Sequence, residues 1–124
     1  MPGRILMVAS AALLGCIGLA AVCIPRAVLG LHGTVPDNAT VLFVQMAGAV
    51  YLGFATLNLA ARGILVGNRY ARPVAAGNFL HFAIVAIILT RAATTFGAVQ
   101  LMLSAAVFSL FAICFGLVVL RPPA

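Results

Sequence analysis

Four long apolar stretches constrain the fold of this 124-residue chain more than any other feature. A membrane-spanning helix needs about 20 apolar residues, with a range of roughly 17–25, and it satisfies its own backbone polar groups. The sequence therefore predicts an all-α integral membrane four-helix bundle with antiparallel neighbouring spans. We expect one domain over residues 1–124, with spans at about 5–24, 40–61, 74–90 and 96–120.

The composition favours a membrane environment over a soluble one. Hydrophobic residues make up 65% of the chain and charged residues 6%, whereas roughly a quarter of the residues in soluble domains are charged. Nucleic-acid binding is not expected, because it needs a clustered basic face on a soluble platform. The lipid bilayer is the expected partner.

The basic residues predict the topology. All seven are arginines, and the only acid is Asp37. With four spans, five arginines share one side of the membrane, and Arg26 and Arg91 lie on the other. This bias places both termini in the cytoplasm of a bacterial-type inner (plasma) membrane. The central loop is also expected to contact lipid headgroups, through Arg62, Arg69 and Arg72.

Local signals predict the ends of the spans. A secretory signal peptide is the alternative interpretation of the first apolar run. The run is longer than the roughly 7–15 apolar residues of such a peptide, so we expect a helix that is retained in the mature protein. Asp37 or Asn38 is placed to cap the second helix. Pro73 suits the first position of the third helix, and Arg91 is expected to end it. A turn is then predicted at Thr94, Thr95 and Gly97.

Small residues form two stripes suited to close helix packing. The stripe on the first span includes Gly15 and Gly18. The second span carries a polar stripe of Tyr51, Asn58 and Arg62 on the side opposite its small residues, so we expect two different partners for this helix. Its small residues are Ala49, Gly53, Thr56 and Ala60.

Uncharged polar residues within the spans are the candidates for a ligand site or polar network. Asn58 and His81 are expected to converge, because helical side chains lean toward the N-terminus of their own helix. A proton relay or ligand site around His81 is one interpretation, and a neutral, hydrogen-bonded histidine that only fixes helix register is the other. Gln45 and Gln100 are expected to pair across helices. The full set is Gln45, Tyr51, Asn58, Asn78, His81, Gln100 and Ser104.

Catalysis, metal binding and cofactors are not expected. The spans contain no carboxylate to work with His81 in acid–base chemistry, and a metal site needs three or four ligands. The cysteines are expected to behave as small hydrophobic residues. A membrane redox helper that uses Cys16 or Cys23 is an alternative.

One segment carries a family resemblance. Gln45-Met46-Ala47-Gly48-Ala49-Val50-Tyr51-Leu52-Gly53 opens a glycine-bearing helix that ends at Arg62 and leads through a short basic loop to a third apolar helix. In this arrangement, over about half its length, the chain resembles the DoxX-like small four-helix membrane proteins. The resemblance implies a four-helix membrane fold in a functionally mixed family. Gln45 stands where that family is expected to carry an acid.

These observations favour a non-enzymatic membrane protein that serves as an accessory or interaction subunit of a membrane complex, or that forms a homo-oligomer. The main alternative is a small transporter or channel with a polar site around Asn58, Asn78 and His81.

Overall fold

The computed structural model describes residues 2–31, 33, 35–63 and 71–121, and these contain five α-helices and no strand. All helices except α2 are long and apolar enough to cross a membrane. The prediction of an all-α fold with four membrane spans is therefore confirmed, and the chain is a multi-pass membrane protein. The helices are α1 (Pro2–Cys23), α2 (Pro25–Leu31), α3 (Asn38–Ala60), α4 (Ala71–Phe96) and α5 (Val99–Leu120).

The short helix α2 was not predicted, and Pro25 explains it. Proline has no backbone N–H, so position 25 cannot donate to the carbonyl of Ala21 and continue α1. The ring suits the first position of a helix, and the chain resumes helical geometry at once. The N–H of Val28 donates to the carbonyl of Ile24 at 3.1 Å.

Helix α4 extends beyond the predicted third span at both ends. It does not end at Arg91, and Thr94 and Thr95 lie in its last turn, where each hydroxyl donates to the Arg91 carbonyl at 2.9 Å. The helix stops at Gly97, which has φ +66° and donates its N–H to the carbonyl of Ala93 at 2.8 Å. A glycine in this left-handed conformation is a common helix terminator.

Pro73 is the third residue of α4 and not its first. It still lies in the first turn, where backbone N–H groups have no partner within the helix. The missing N–H of proline therefore removes no helical hydrogen bond.

The contacts divide the chain into two units. The first, residues 7–60, holds most of α1 together with α2 and α3, and we call it the α1–α3 unit. The second combines residues 1–6 with residues 61–124 and holds α4 and α5, and we call it the α4–α5 unit. The single four-span domain and the antiparallel order of all neighbouring spans stay predictions.

In the α1–α3 unit, two glycines bring the helix backbones together. A Cβ added to Gly18 would lie 2.8 Å from the Gly48 carbonyl oxygen, and a Cβ added to Gly48 would lie 2.9 Å from the Gly18 oxygen. Small residues allow such an approach in membranes. Residues later in the sequence of α1 contact residues earlier in the sequence of α3. The contacts are Ser10 with Asn58, Gly15 with Ala55, Gly18 with Gly48, and Val22 with Gln45.

In the α4–α5 unit, a cluster of aromatic rings forms the contact. Phe82 is fully buried. Its ring centroid lies 5.3 Å from that of Phe108, 4.9 Å from that of Phe111 and 5.7 Å from that of Phe115. These separations are within the range of favourable aromatic pairs, so Phe82 is the α4 residue at the centre of an aromatic cluster between α4 and α5.

Candidate functional site

A buried chain of polar groups joins α1 to α3. Asn58 donates through Nδ2 to Oγ of Ser10 at 2.9 Å, and the Ser10 hydroxyl donates to the Met7 carbonyl, also at 2.9 Å. Asn58 and Ser10 are both 0% exposed. Ser10 was not among the predicted site residues. Uncharged polar side chains that bond across helices stabilise a particular helix register in membranes.

Gln45 connects the same two helices near the other end of α1. Its Nε2 donates to the Val22 carbonyl at 3.2 Å. Val22 lies in the last turn of α1, where backbone carbonyls have no donor within the helix. Gln45 therefore satisfies a helix-end carbonyl. Gln100 is exposed on α5, and the Gln45–Gln100 pair stays a prediction.

Asn78 and His81 lie one turn apart on α4 in the other unit. Asn78 is fully buried and donates through Nδ2 to the Val74 carbonyl of its own helix at 2.9 Å. The ring of His81 lies edge-on to Phe82, with centroids 5.3 Å apart, and 6.4 Å from the ring of Phe108. His81 thus borders the aromatic cluster. Its convergence with Asn58 stays a prediction.

The remaining polar candidates are only partly shielded. Tyr51 on α3 and Ser104 on α5 are both of intermediate burial. Neither is part of the buried Asn58–Ser10 contact.

The predicted small stripe of α3 is exposed along its whole length. A Cβ added to Gly53 would meet no heavy atom within 4 Å, and the hydroxyl of Thr56 donates to the Leu52 carbonyl of its own helix at 2.9 Å. The face that meets α1 is instead centred on Gly48, roughly a third of a turn around the helix from the stripe. The exposed stripe residues are Ala49, Gly53, Thr56 and Ala60.

The small residues predicted on α1 do lie at its contact with α3. A Cβ added to Gly15 would lie 3.6 Å from the Cβ of Ala55, and Gly18 meets both Gly48 and Leu52. Close packing between α1 and α3 therefore uses the predicted stripe of α1 but a different face of α3.

The connection between α2 and α3 is held by polar contacts. Arg26 donates through Nη1 to the Pro36 carbonyl at 3.2 Å and through Nη2 to Oδ1 of Asn38 at 2.9 Å. Asp37 caps α3, as predicted, since its Oδ1 accepts the backbone N–H of Thr40 at 2.6 Å. Hydrogen bonds from the backbone and side chain of Thr40 hold the pKa of Asp37 below its usual range.

The predicted headgroup contacts lie partly outside the described residues. Arg62 and Arg72 are exposed. Arg69 lies outside the described residues, as does His32 in the loop between α2 and α3.

The cysteines are free, and Cys16 and Cys23 are exposed on α1. Seven residues of helix separate these two by about 10 Å, which exceeds the roughly 7 Å limit between the Cα atoms of a disulfide. A redox role based on a disulfide between them within one chain does not fit this helix. Among the described residues, no three His, Cys, Asp or Glu side chains are grouped so that they could hold a metal ion.

Comparison of the chain with protein-family models, with curated proteins and with solved structures gave no match. The DoxX-like resemblance accordingly stays a prediction. The chain's own geometry is the basis for the proposals that follow.

Proposed function

We propose that the protein is a non-enzymatic subunit of a bacterial-type inner membrane that binds another membrane-embedded helix through the exposed small face of α3. The bound helix belongs to a second copy of the chain or to a larger membrane complex. The observation that carries this proposal is the exposure of the whole stripe Ala49, Gly53, Thr56 and Ala60.

The physics of helix association in lipid supports this assignment. Lipid tails are as apolar as leucine, so helices associate through close packing and not through hydrophobic burial. The chain itself uses this device where Gly18 and Gly48 bring α1 against α3. The stripe around Gly53 offers a second surface of the same kind, and α3 is the least buried of the four spans.

A Gly53→Leu substitution tests the proposal. A Cβ at this position meets nothing within the chain, so we expect the variant to fold normally and to lose association. The matched control is Gly77→Leu on α4, where an added Cβ also meets no atom within 4 Å. The measurements are crosslinking and co-purification in mild detergent, together with the free energy of unfolding of each variant.

The expected result is a loss of crosslinked species in Gly53→Leu and their retention in Gly77→Leu, with normal unfolding in both. If Gly53→Leu crosslinks and co-purifies like the wild type, the small face of α3 is not an association surface. Equal losses of crosslinked species in the two variants would also contradict the proposal, because the loss would then not depend on the small face of α3.

A second candidate function is a small transporter or channel, for which the sequence predicts Asn58, Asn78 and His81 as polar residues of the pathway. The complete burial of Asn58 and Asn78 favours it, because polar residues within membrane spans are costly and often mark a substrate pathway. A liposome flux assay that compares the wild type with His81→Ala tests this function. Flux that the substitution abolishes, and that the exposed control Gln100→Ala leaves unchanged, would support transport.

A further inference from the structure

Exposed arginines cluster at one end of the α4–α5 unit. Arg72 lies in the first turn of α4 and Arg121 directly follows α5. These two ends are neighbours, since a Cβ added to Gly116 near the end of α5 would lie 3.1 Å from the ring of Phe79 near the start of α4. Arg72 and Arg121 are both exposed.

Two further exposed arginines, Arg4 and Arg62, belong to the same unit. Four spans in series put all four arginines on one side of the membrane. Arg91, by contrast, lies about 28 Å along α4 from Arg72. The unit therefore concentrates positive charge at one membrane surface.

No acidic side chain of the unit can balance this charge. The only acidic side chain of the chain is Asp37. It belongs to the α1–α3 unit and caps α3 by accepting the backbone N–H of Thr40. In that unit Arg26 binds acceptors of the protein itself, the Pro36 carbonyl and the Asn38 side chain. Arg72 and Arg121 lie instead exposed at helix ends, and the unit contains no acidic side chain that could pair with them.

We infer that this end of the α4–α5 unit binds anionic phospholipid headgroups, with Arg72 and Arg121 as the main contacts and Arg4 and Arg62 adding to the positive potential. The guanidinium fork matches phosphate oxygens and forms short, charge-assisted hydrogen bonds with them. A leaflet rich in anionic lipid attracts basic groups next to the membrane. This affinity is an equilibrium property of the folded protein, distinct from the effect of arginines on topology during insertion.

The test uses the purified full-length chain in a neutral detergent, titrated with phosphatidylglycerol. Bound lipid is counted by native mass spectrometry, and the half-saturating concentration is compared among variants. We expect each Arg→Gln change to weaken binding about fivefold, and Arg72→Gln with Arg121→Gln together to weaken it roughly 30-fold. The charge-conserving pair Arg72→Lys with Arg121→Lys should keep most of the affinity, and it separates loss of charge from loss of fold.

Arg91→Gln is the matched control, because Arg91 is exposed on the same helix at its other end, and we expect it to bind as the wild type does. Wild-type affinity in the Arg72→Gln/Arg121→Gln variant would overturn the inference, and so would an equal loss in Arg91→Gln. Inorganic phosphate is added as a competitor. Displacement of the lipid by phosphate at equal concentration would assign the site to a soluble anion. Tighter binding of an acidic peptide than of phosphatidylglycerol would assign it to a protein partner.

Discussion

Asn58 on α3 donates from Nδ2 to Oγ of Ser10 on α1 at 2.9 Å, across 48 positions of the chain. Both side chains are completely buried. Because the Ser10 hydroxyl also donates to the Met7 carbonyl, it serves as acceptor and donor at once. The contact therefore stabilises one register of α1 against α3.

A double-mutant cycle of Ser10→Ala and Asn58→Ala measures this contact. Hydrogen bonds between membrane helices are worth about 0.6 kcal/mol on average and at most about 1.7 kcal/mol, so we expect a coupling free energy in this range. The measurement is the free energy of unfolding in micelles. Ser10→Ala combined with Thr56→Ala is the control, because Thr56 bonds within its own helix, and its effects should add. A coupling near zero for Ser10 and Asn58 would show that the register is fixed by other contacts.

Substitution of Gly48 by alanine should destabilise the α1–α3 contact. The new Cβ would lie 2.8 Å from the Cβ of Ala21 and 2.9 Å from the Gly18 carbonyl oxygen. Overpacking of this kind costs about 1–3 kcal/mol. Gly53→Ala on the same helix is the control, and it should be neutral or more stable by up to about 1 kcal/mol, because alanine is the better helix former. Equal unfolding free energies for the two variants would contradict the close approach at Gly48.

Replacement of Phe82 by alanine should open a cavity between α4 and α5. Phe→Ala in soluble cores costs about 3–5 kcal/mol. We expect the lower end of this range, since the lipid that solvates the separated helices is itself apolar. Phe96→Ala, at a side chain 76% exposed, should leave the unfolding free energy nearly unchanged. A small effect at Phe82, similar to that at Phe96, would mean that the stacked rings do not hold the two helices together.

The cap at Asp37 predicts a stability that depends on pH. The pKa of this carboxyl is lowered by the Thr40 hydrogen bonds, so its contribution is fully present above the ordinary aspartate pKa of about 3.9 and is lost as the pH falls through the lowered value. Thermal unfolding measured as the pH decreases should show this loss in the wild type. Asp37→Asn keeps a capping side chain but does not titrate, so its stability should not change over that interval.

Spans were predictable because an apolar run of the right length has one stable arrangement in lipid. The ends of the helices were harder to predict from the sequence. The predicted first span stopped before Pro25, but a proline that ends one helix can also begin the next, and α2 follows from that second property. At the end of α4, the charge of Arg91 suggested a stop, whereas the left-handed glycine at position 97 provides the actual one.

The sequence predicted which polar residues belong to the candidate site, but not which residues they contact. Asn58 was identified as an intramembrane polar residue, but its partner Ser10 was missed because serine is common in apolar helices. Periodicity alone gave the small stripe at Gly53. The periodicity of a helix does not indicate which neighbouring helix each face contacts. In the structure, α1 packs against the face of α3 that carries Gly48.

The glycine turn between α4 and α5 also bears on how the protein enters the bilayer. Only Gly97 and Ala98 separate the two helices, so little loop-closure entropy is lost when they pair. The turn is too short for α4 to settle in lipid far from α5. The last two spans should therefore be inserted together as a helical hairpin.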